Sequence, residues 1–131
     1  MDDNIIRILV TTDTHLGIYE RDPLRCNDCY ASFEEVLILA REKQADFILM
    51  AGDIFHENKP TRRTLFNTME LLRKYCLGDQ PIFITILNDL QKDLFRSSSC
   101  GAANYEDPFQ SICLPVFSIH GNHDDPTREG N

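Results

Sequence analysis

Three short stretches carry most of the chemically loaded side chains in this 131-residue sequence: Asp13-Thr14-His15, Gly52-Asp53-Ile54-Phe55-His56 and Gly121-Asn122-His123-Asp124. Oxygen and imidazole donors without a thiolate suit borderline to hard ions such as Mn²⁺, Fe or Zn²⁺. In Asp13-x-His15 the two-residue spacing lets both side chains face one ion if the backbone stays extended. Taken singly, each stretch has an ordinary reading: a loop aspartate beside a surface histidine, a turn or capping aspartate after Gly52, a Gly-Asn turn with solvated neighbours. The combination is more informative. D-x-H is followed about 40 residues later by G-D-x-x-H and about 65 residues further by G-N-H-D, each at the end of an apolar run. A carboxylate able to bridge two ions roughly 3.5–4 Å apart is the arrangement that hydrolyses phosphoesters, by neutralising the phosphate and making hydroxide available near neutral pH.

Such residues need a frame that brings them together. Ile5 to Thr12 is apolar at nearly every position, which predicts a strand buried on both faces of a parallel sheet. Tyr30, Phe33, Val36, Leu37 and Ala40 recur at helical spacing from Asn27 or Asp28 to about Gln44. Phe47 to Ala51 then supplies a second strand, completing a βαβ unit whose right-handed crossover places Asp13 and Asp53 at one sheet edge. Asn58-Lys59-Pro60-Thr61 marks a helix entry. Leu65, Met69, Leu72 and Cys76 form one apolar face of that helix to near Gly78, widened by Leu71 and Tyr75, which implies either deeper burial or a partner surface. Ile82 to Leu87 is a third apolar run and Pro115 to Ile119 a fourth strand. Residues 88–113 lose the periodic pattern and read as an insertion loop, and residues 1–131 suit one domain or part of a larger one.

Composition bounds the possibilities. A hydrophobic content of 42% is sufficient for a core, whereas a net charge of −8 argues against a broad electrostatic footprint for nucleic acid on this segment. An acidic patch that holds divalent cations still receives phosphate through the metal. Apolar runs fall far short of the roughly 18–20 residues that span a bilayer, and Met1-Asp2-Asp3-Asn4 lacks the regions of a signal peptide, so a soluble, intracellular protein without a membrane partner is expected. Five cysteines, an odd number, point to free thiols. Cys26-Asn27-Asp28-Cys29 has C-x-x-C spacing but no second pair, and a metal or redox role for it is the minor reading.

The three motifs resemble those of calcineurin-like metallophosphoesterases. The stretches 8–17, 53–60, 70–76 and 115–126 more narrowly resemble the eukaryotic meiotic-recombination-eleven nucleases of the double-strand-break repair complex. The resemblance runs over almost the whole chain and is weakest between Asn88 and Gly101. It implies an α/β fold, the N-terminal half of a calcineurin-like metallophosphoesterase αββα sandwich. It implies a nuclear, Mn²⁺-dependent exonuclease and endonuclease holding two Mn²⁺ ions, with Asp13 and His15 on the first ion, Asp53 bridging and Asn122 on the second. His123 becomes the acid that protonates the leaving sugar oxygen, Asp124 orients its imidazole, and His56 approaches the scissile phosphate. The implied partners are DNA, an ATPase subunit, a regulatory subunit contacted around Asn104 and Tyr105, and a second protomer contacted through the helix that carries Leu65, Met69 and Leu72.

The departure from that pattern concerns histidines. Family members complete both coordination shells with a further lone histidine and a G-H-x-H pair, while the histidines here are His15, His56, His120 and His123. About four protein ligands remain, so weak metal binding and little or no nuclease activity are expected of these 131 residues alone. Two other functions compete: a metallophosphatase acting on small or protein phosphoesters, and a non-catalytic module binding the regulatory subunit or a partner protomer.

Overall fold

In the computed structural model, residues 4–85, 87 and 111–121 are described. Three parallel strands, β1 (Ile8–Thr11), β2 (Phe47–Ala51) and β3 (Val116–Ile119), form a sheet in the order β1-β2-β3. Helices α1 (Asp28–Glu42) and α2 (Arg62–Cys76) follow β1 and β2 respectively. Pairing of Leu9 with Ile48 and of Thr11 with Met50 turns one face of the sheet toward the helices. There Ile48 and Met50 join Phe33, Leu37 and Ala40 of α1 and Cys76 of α2 in one core.

The spacing of Cys29, Phe33, Leu37 and Ala40 puts four buried residues on one stripe of α1. Gln44 ends the helix in a left-handed conformation (φ 54°). Its N–H donates to the Arg41 carbonyl and that of Ala45 to the Ala40 carbonyl, the paired bonds of a Schellman cap. Thr61 caps α2, its hydroxyl accepting from the Thr64 N–H at 3.2 Å. Across the helix pair, Glu34 of α1 accepts from the Tyr75 hydroxyl and from Lys74 Nζ at 3.1 Å. The Tyr75 hydroxyl, and after it Lys74, hold the Glu34 carboxyl below its ordinary value of 4.5. A carboxylate lowered in the native state stabilises it fully above the unfolded value, and that contribution disappears as pH falls through the native one. Glu34→Gln therefore lowers the urea midpoint at pH 7, and the difference from the parent chain narrows as the solution is acidified; a pH-independent difference would contradict the linkage.

The structure corrects three expectations. β1 is shorter than Ile5 to Thr12 and is not buried on both faces: Ile8 and Val10 alternate outward and Val10 is 62% exposed. Among the described residues only one side of the sheet is covered by helices. The run Ile82 to Leu87 is not a strand in its described residues, 82–85 and 87. The β2 edge is instead taken by β3, through Ile48 with Val116 and Ala51 with Ile119, so Pro115 to Ile119 leads into the third strand of the sheet rather than a fourth.

The third correction concerns α2. Leu65, Met69, Leu72 and Cys76 do not share one buried face. Thr64, Thr68 and Cys76 are buried, with Leu71, Leu72 and Tyr75 packed beside them, whereas Leu65, Phe66 and Met69 point outward and Met69 is 66% exposed. Steric fit explains the choice. Gly17 approaches α2 so closely that a β-carbon there would lie 2.9 Å from Thr64 Oγ1, a space that a leucine could not share. Thr64 meets the Tyr30 hydroxyl at 3.1 Å, and the Thr68 hydroxyl donates to the Thr64 carbonyl at 2.8 Å, so neither buried hydroxyl is unsatisfied.

Candidate metal centre

The loops that follow β1 and β2 continue the parallel pairing past the strand ends. Asp13 N–H donates to the Gly52 carbonyl (3.1 Å), His15 N–H to Asp53 (3.0 Å), Leu16 N–H to Ile54 (2.8 Å), and His56 N–H back to Leu16 (3.0 Å). Leu16, 1% exposed, plugs this double loop into the core. The loop backbones are tightly specified. Asp13, His15 and Asp53 all adopt left-handed conformations, with φ of 55°, 44° and 49°. Non-glycine residues reach that region at a cost, and such strain collects where side chains must be aimed.

The result is a cluster. One ligand atom from each of Asp13, His15 and Asp53 lies within 4.8 Å of the others. His15 Nε2 is 3.4 Å from Asp13 Oδ1 and 4.0 Å from Asp53 Oδ2. Thr12 donates its hydroxyl to Asp13 Oδ2 at 2.9 Å, and this bond, ahead of the contributions of Asp53 and His15, keeps the Asp13 carboxyl below its usual range. Two carboxylates and an imidazole converging at these separations fit a divalent cation, whose charge offsets the repulsion between the carboxylates. His56 stands beside this set, its Nδ1 3.3 Å from His15 Nδ1 and the ring centroids 5.5 Å apart.

Gly121, at the end of β3, meets Asp53 directly. A β-carbon on Gly121 would fall 2.6 Å from the Asp53 backbone nitrogen and closer still to the carboxylate Oδ1, while one on Gly52 would fall 3.1 Å from Gly121 Cα. Two glycines thus let the second and third motifs pack backbone to backbone. The sequence reading picked out the carboxylate and imidazole groups but missed this glycine contact and the Thr12 hydroxyl; the available signal was a glycine immediately before both Asp53 and Asn122. Asn122, His123 and Asp124 lie outside the described residues, as do Asn104 and Tyr105. The Cys26-x-x-Cys29 pair has an ordinary structural place: Cys29 is buried in the core and its sulfur accepts from the Gly17 N–H at 3.4 Å.

Residues 6–131 match the calcineurin-like phosphoesterase family. This chain belongs to that family. Its α/β organisation and its group of potential metal ligands at adjacent strand ends agree with the match. The chain is also similar to double-strand break repair protein MRE11 of Homo sapiens, 54% identical over 126 residues, which are 96% of this chain and 18% of the relative. Similarity to MRE11 of Coprinopsis cinerea is 52% over 98% of the chain and 18% of the relative, and to MRE11 of Arabidopsis thaliana 48% over 96% and 17%. The narrower resemblance read from the motifs is therefore supported by these curated relatives, of which the chain spans less than a fifth of the length.

Proposed function

We propose that this chain supplies the first part of a two-metal DNA nuclease site, acting as exonuclease and endonuclease on phosphodiesters during double-strand-break repair in the nucleus. The observation that carries the reading is the convergence of Asp13, His15 and Asp53 at the ends of two adjacent parallel strands. In this reading Asp13 and His15 would hold the first Mn²⁺, Asp53 would serve both ions, and Asn122, covalently next to Gly121, would serve the second. Bound divalent cations supply neutralisation of the phosphate and a water acidic enough to be hydroxide near neutral pH. His56, beside His15, orients the scissile phosphate. His123 protonates the leaving sugar oxygen, with Asp124 orienting its ring. The ATPase and regulatory subunits of the repair complex are the partners in this reading.

Four protein ligands imply weak Mn²⁺ binding and a low rate for the 131 residues alone, so the primary readout is binding. Bound Mn²⁺ followed by electron paramagnetic resonance falls at least about tenfold in Asp53→Asn, in line with the loss of a metal-orienting group, while far-ultraviolet circular dichroism stays unchanged. Equal binding in the variant would refute the site. Any residual hydrolysis should fall on a duplex oligonucleotide; turnover of p-nitrophenyl phosphate with intact DNA would instead select the metallophosphatase reading.

A second reading has its own observation. Leu65, Phe66 and Met69 form an exposed apolar strip on the outer side of α2, which favours a partner surface over deeper burial, and Leu72 lies at its inner margin. A binding module would use this strip for a second protomer and Asn104 and Tyr105 for the regulatory subunit. Capture of that subunit that is unchanged by Asn104→Ser would count against the second contact.

A further inference from the structure

Cys76 and Cys113 are used by neither reading, yet the fold sets them opposite one another. Cys76 ends α2 and Cys113 precedes β3. Leu77 and Ile112 form an antiparallel bridge, flanked by hydrogen bonds from Gly78 N–H to the Ser111 carbonyl (2.9 Å) and from Cys113 N–H to the Cys76 carbonyl (2.8 Å). One step along that register, Cys76 and Cys113 are directly opposed. Opposed residues of this kind have α-carbons about 5.5 Å apart, within the span a disulfide bridges. The Cys113 side chain leans toward the 75–78 turn, with Sγ 3.9 Å from the Tyr75 carbonyl and 3.2 Å from where a Gly78 β-carbon would stand.

The two thiols differ in access. Cys113 lines a surface cleft of about 380 Å³ with Arg41, Gln80, Pro81 and Phe83. Arg41 is pinned there, Nη1 donating to the Tyr75 carbonyl at 2.8 Å and Nη2 to Gln80 Oε1 at 3.2 Å, which leaves Nη1 3.8 Å from Cys113 Sγ. Cys76 is buried, and burial first, with the neighbouring Cys113 sulfur second, pushes its thiol up to about 11.

We propose that Cys113 and Cys76 form a peroxide-sensitive thiol pair, Cys113 being the sulfur oxidised from the cleft and Cys76 the buried thiol that resolves it. In the first step Cys113 sulfur attacks one peroxide oxygen, the O–O bond breaks, and a sulfenic acid and water form. In the second, Cys76 sulfur attacks the sulfenic sulfur, displacing its hydroxyl, which leaves as water with the Cys76 proton. Two thiols and one hydrogen peroxide become one disulfide and two waters, and the sulfurs lose the two electrons that the peroxide gains. The bond ties the C-terminus of α2 to the entrance of β3 and closes residues 77–112 into a covalent ring. Because the resolving thiol is hard to ionise, closure accelerates as pH rises toward 11.

The test treats the whole chain with hydrogen peroxide and maps its peptides without reduction. The expected product is a Cys76–Cys113 cross-link that dithiothreitol reverses, with a higher melting temperature than the reduced chain. In Cys76→Ala, and in Cys76→Ser should alanine disturb packing, the expected product is a dimedone-reactive sulfenic acid on Cys113. A folded parent chain in which peroxide leaves Cys113 unmodified, or joins it only to Cys26, Cys29 or Cys100, overturns the proposal.

Discussion

Gly121→Ala should weaken Mn²⁺ binding by about 10- to 100-fold, the range associated with groups that orient metal ligands, although it removes no donor atom. The reason is steric. The added methyl group would sit 2.6 Å from the Asp53 backbone nitrogen and nearer still to the carboxylate that the proposed site places between two ions. Side-chain rotation alone cannot relieve a clash with backbone, so either the β3 end or the Asp53 turn must withdraw. Withdrawal of the turn also strains the bonds that zip it to the Asp13 loop, including that from His15 N–H to the Asp53 carbonyl at 3.0 Å. Mn²⁺ titration by electron paramagnetic resonance, beside circular dichroism to confirm folding, measures the effect. Undiminished affinity would mean that the third motif's backbone does not hold Asp53 in place.

Phe33→Ala should cost about 3–5 kcal/mol of folding stability, as expected for removing a fully buried aromatic ring from a core that cannot collapse into the space. Phe33 is 1% exposed and is among the largest fully buried side chains of the described structure. It shares one buried cluster with Ile48 and Met50 of β2 and with Leu16, the residue that seats the loop carrying Asp13 and His15. Marginal domain stability, about 5–15 kcal/mol, makes that loss visible as a large fall in the urea midpoint or as an unfolded chain at 37 °C. Metal binding should fall with it through loss of the Leu16 anchor. A stability loss below about 1 kcal/mol, taken from the midpoint shift and the denaturant slope, would show that the core closes around the cavity.

Local pattern made much of this legible. Helical spacing placed α1 within two residues of its observed bounds, because a stripe of apolar side chains every three to four residues has no other stable use. The helix entry at Asn58 to Thr61 and the βαβ order followed from residue types acting on their own backbone, whereas the structure identified Thr61 as the cap. The donor chemistry of Asp13, His15 and Asp53 was likewise readable, since a ligand set is a property of side-chain type and of the strand that delivers it. Periodicity could not say which apolar residues of α2 face inward. Leu65 and Met69 are as hydrophobic as a core requires, yet Thr64 and Thr68 occupy the interior because Gly17 brings a loop from elsewhere in the chain against that side.

Nor could the sequence distinguish Ile82 to Leu87 from a strand. The place beside β2 is taken by Val116 to Ile119, which follow the run in sequence by about thirty residues, and that pairing is not written in the run itself. The sequence by itself therefore determined the two helices, the strands they connect and the donor types at the ends of β1 and β2, all of which arise from local backbone preference and side-chain type. Only the tertiary structure decided the register that brings Asp13 and His15 to Asp53, the glycine contact that brings β3 to the same point, and the opposition of Cys76 to Cys113. Each of these rests on residues tens of positions apart, whose meeting is set by steric fit and hydrogen-bond pairing across the assembled sheet.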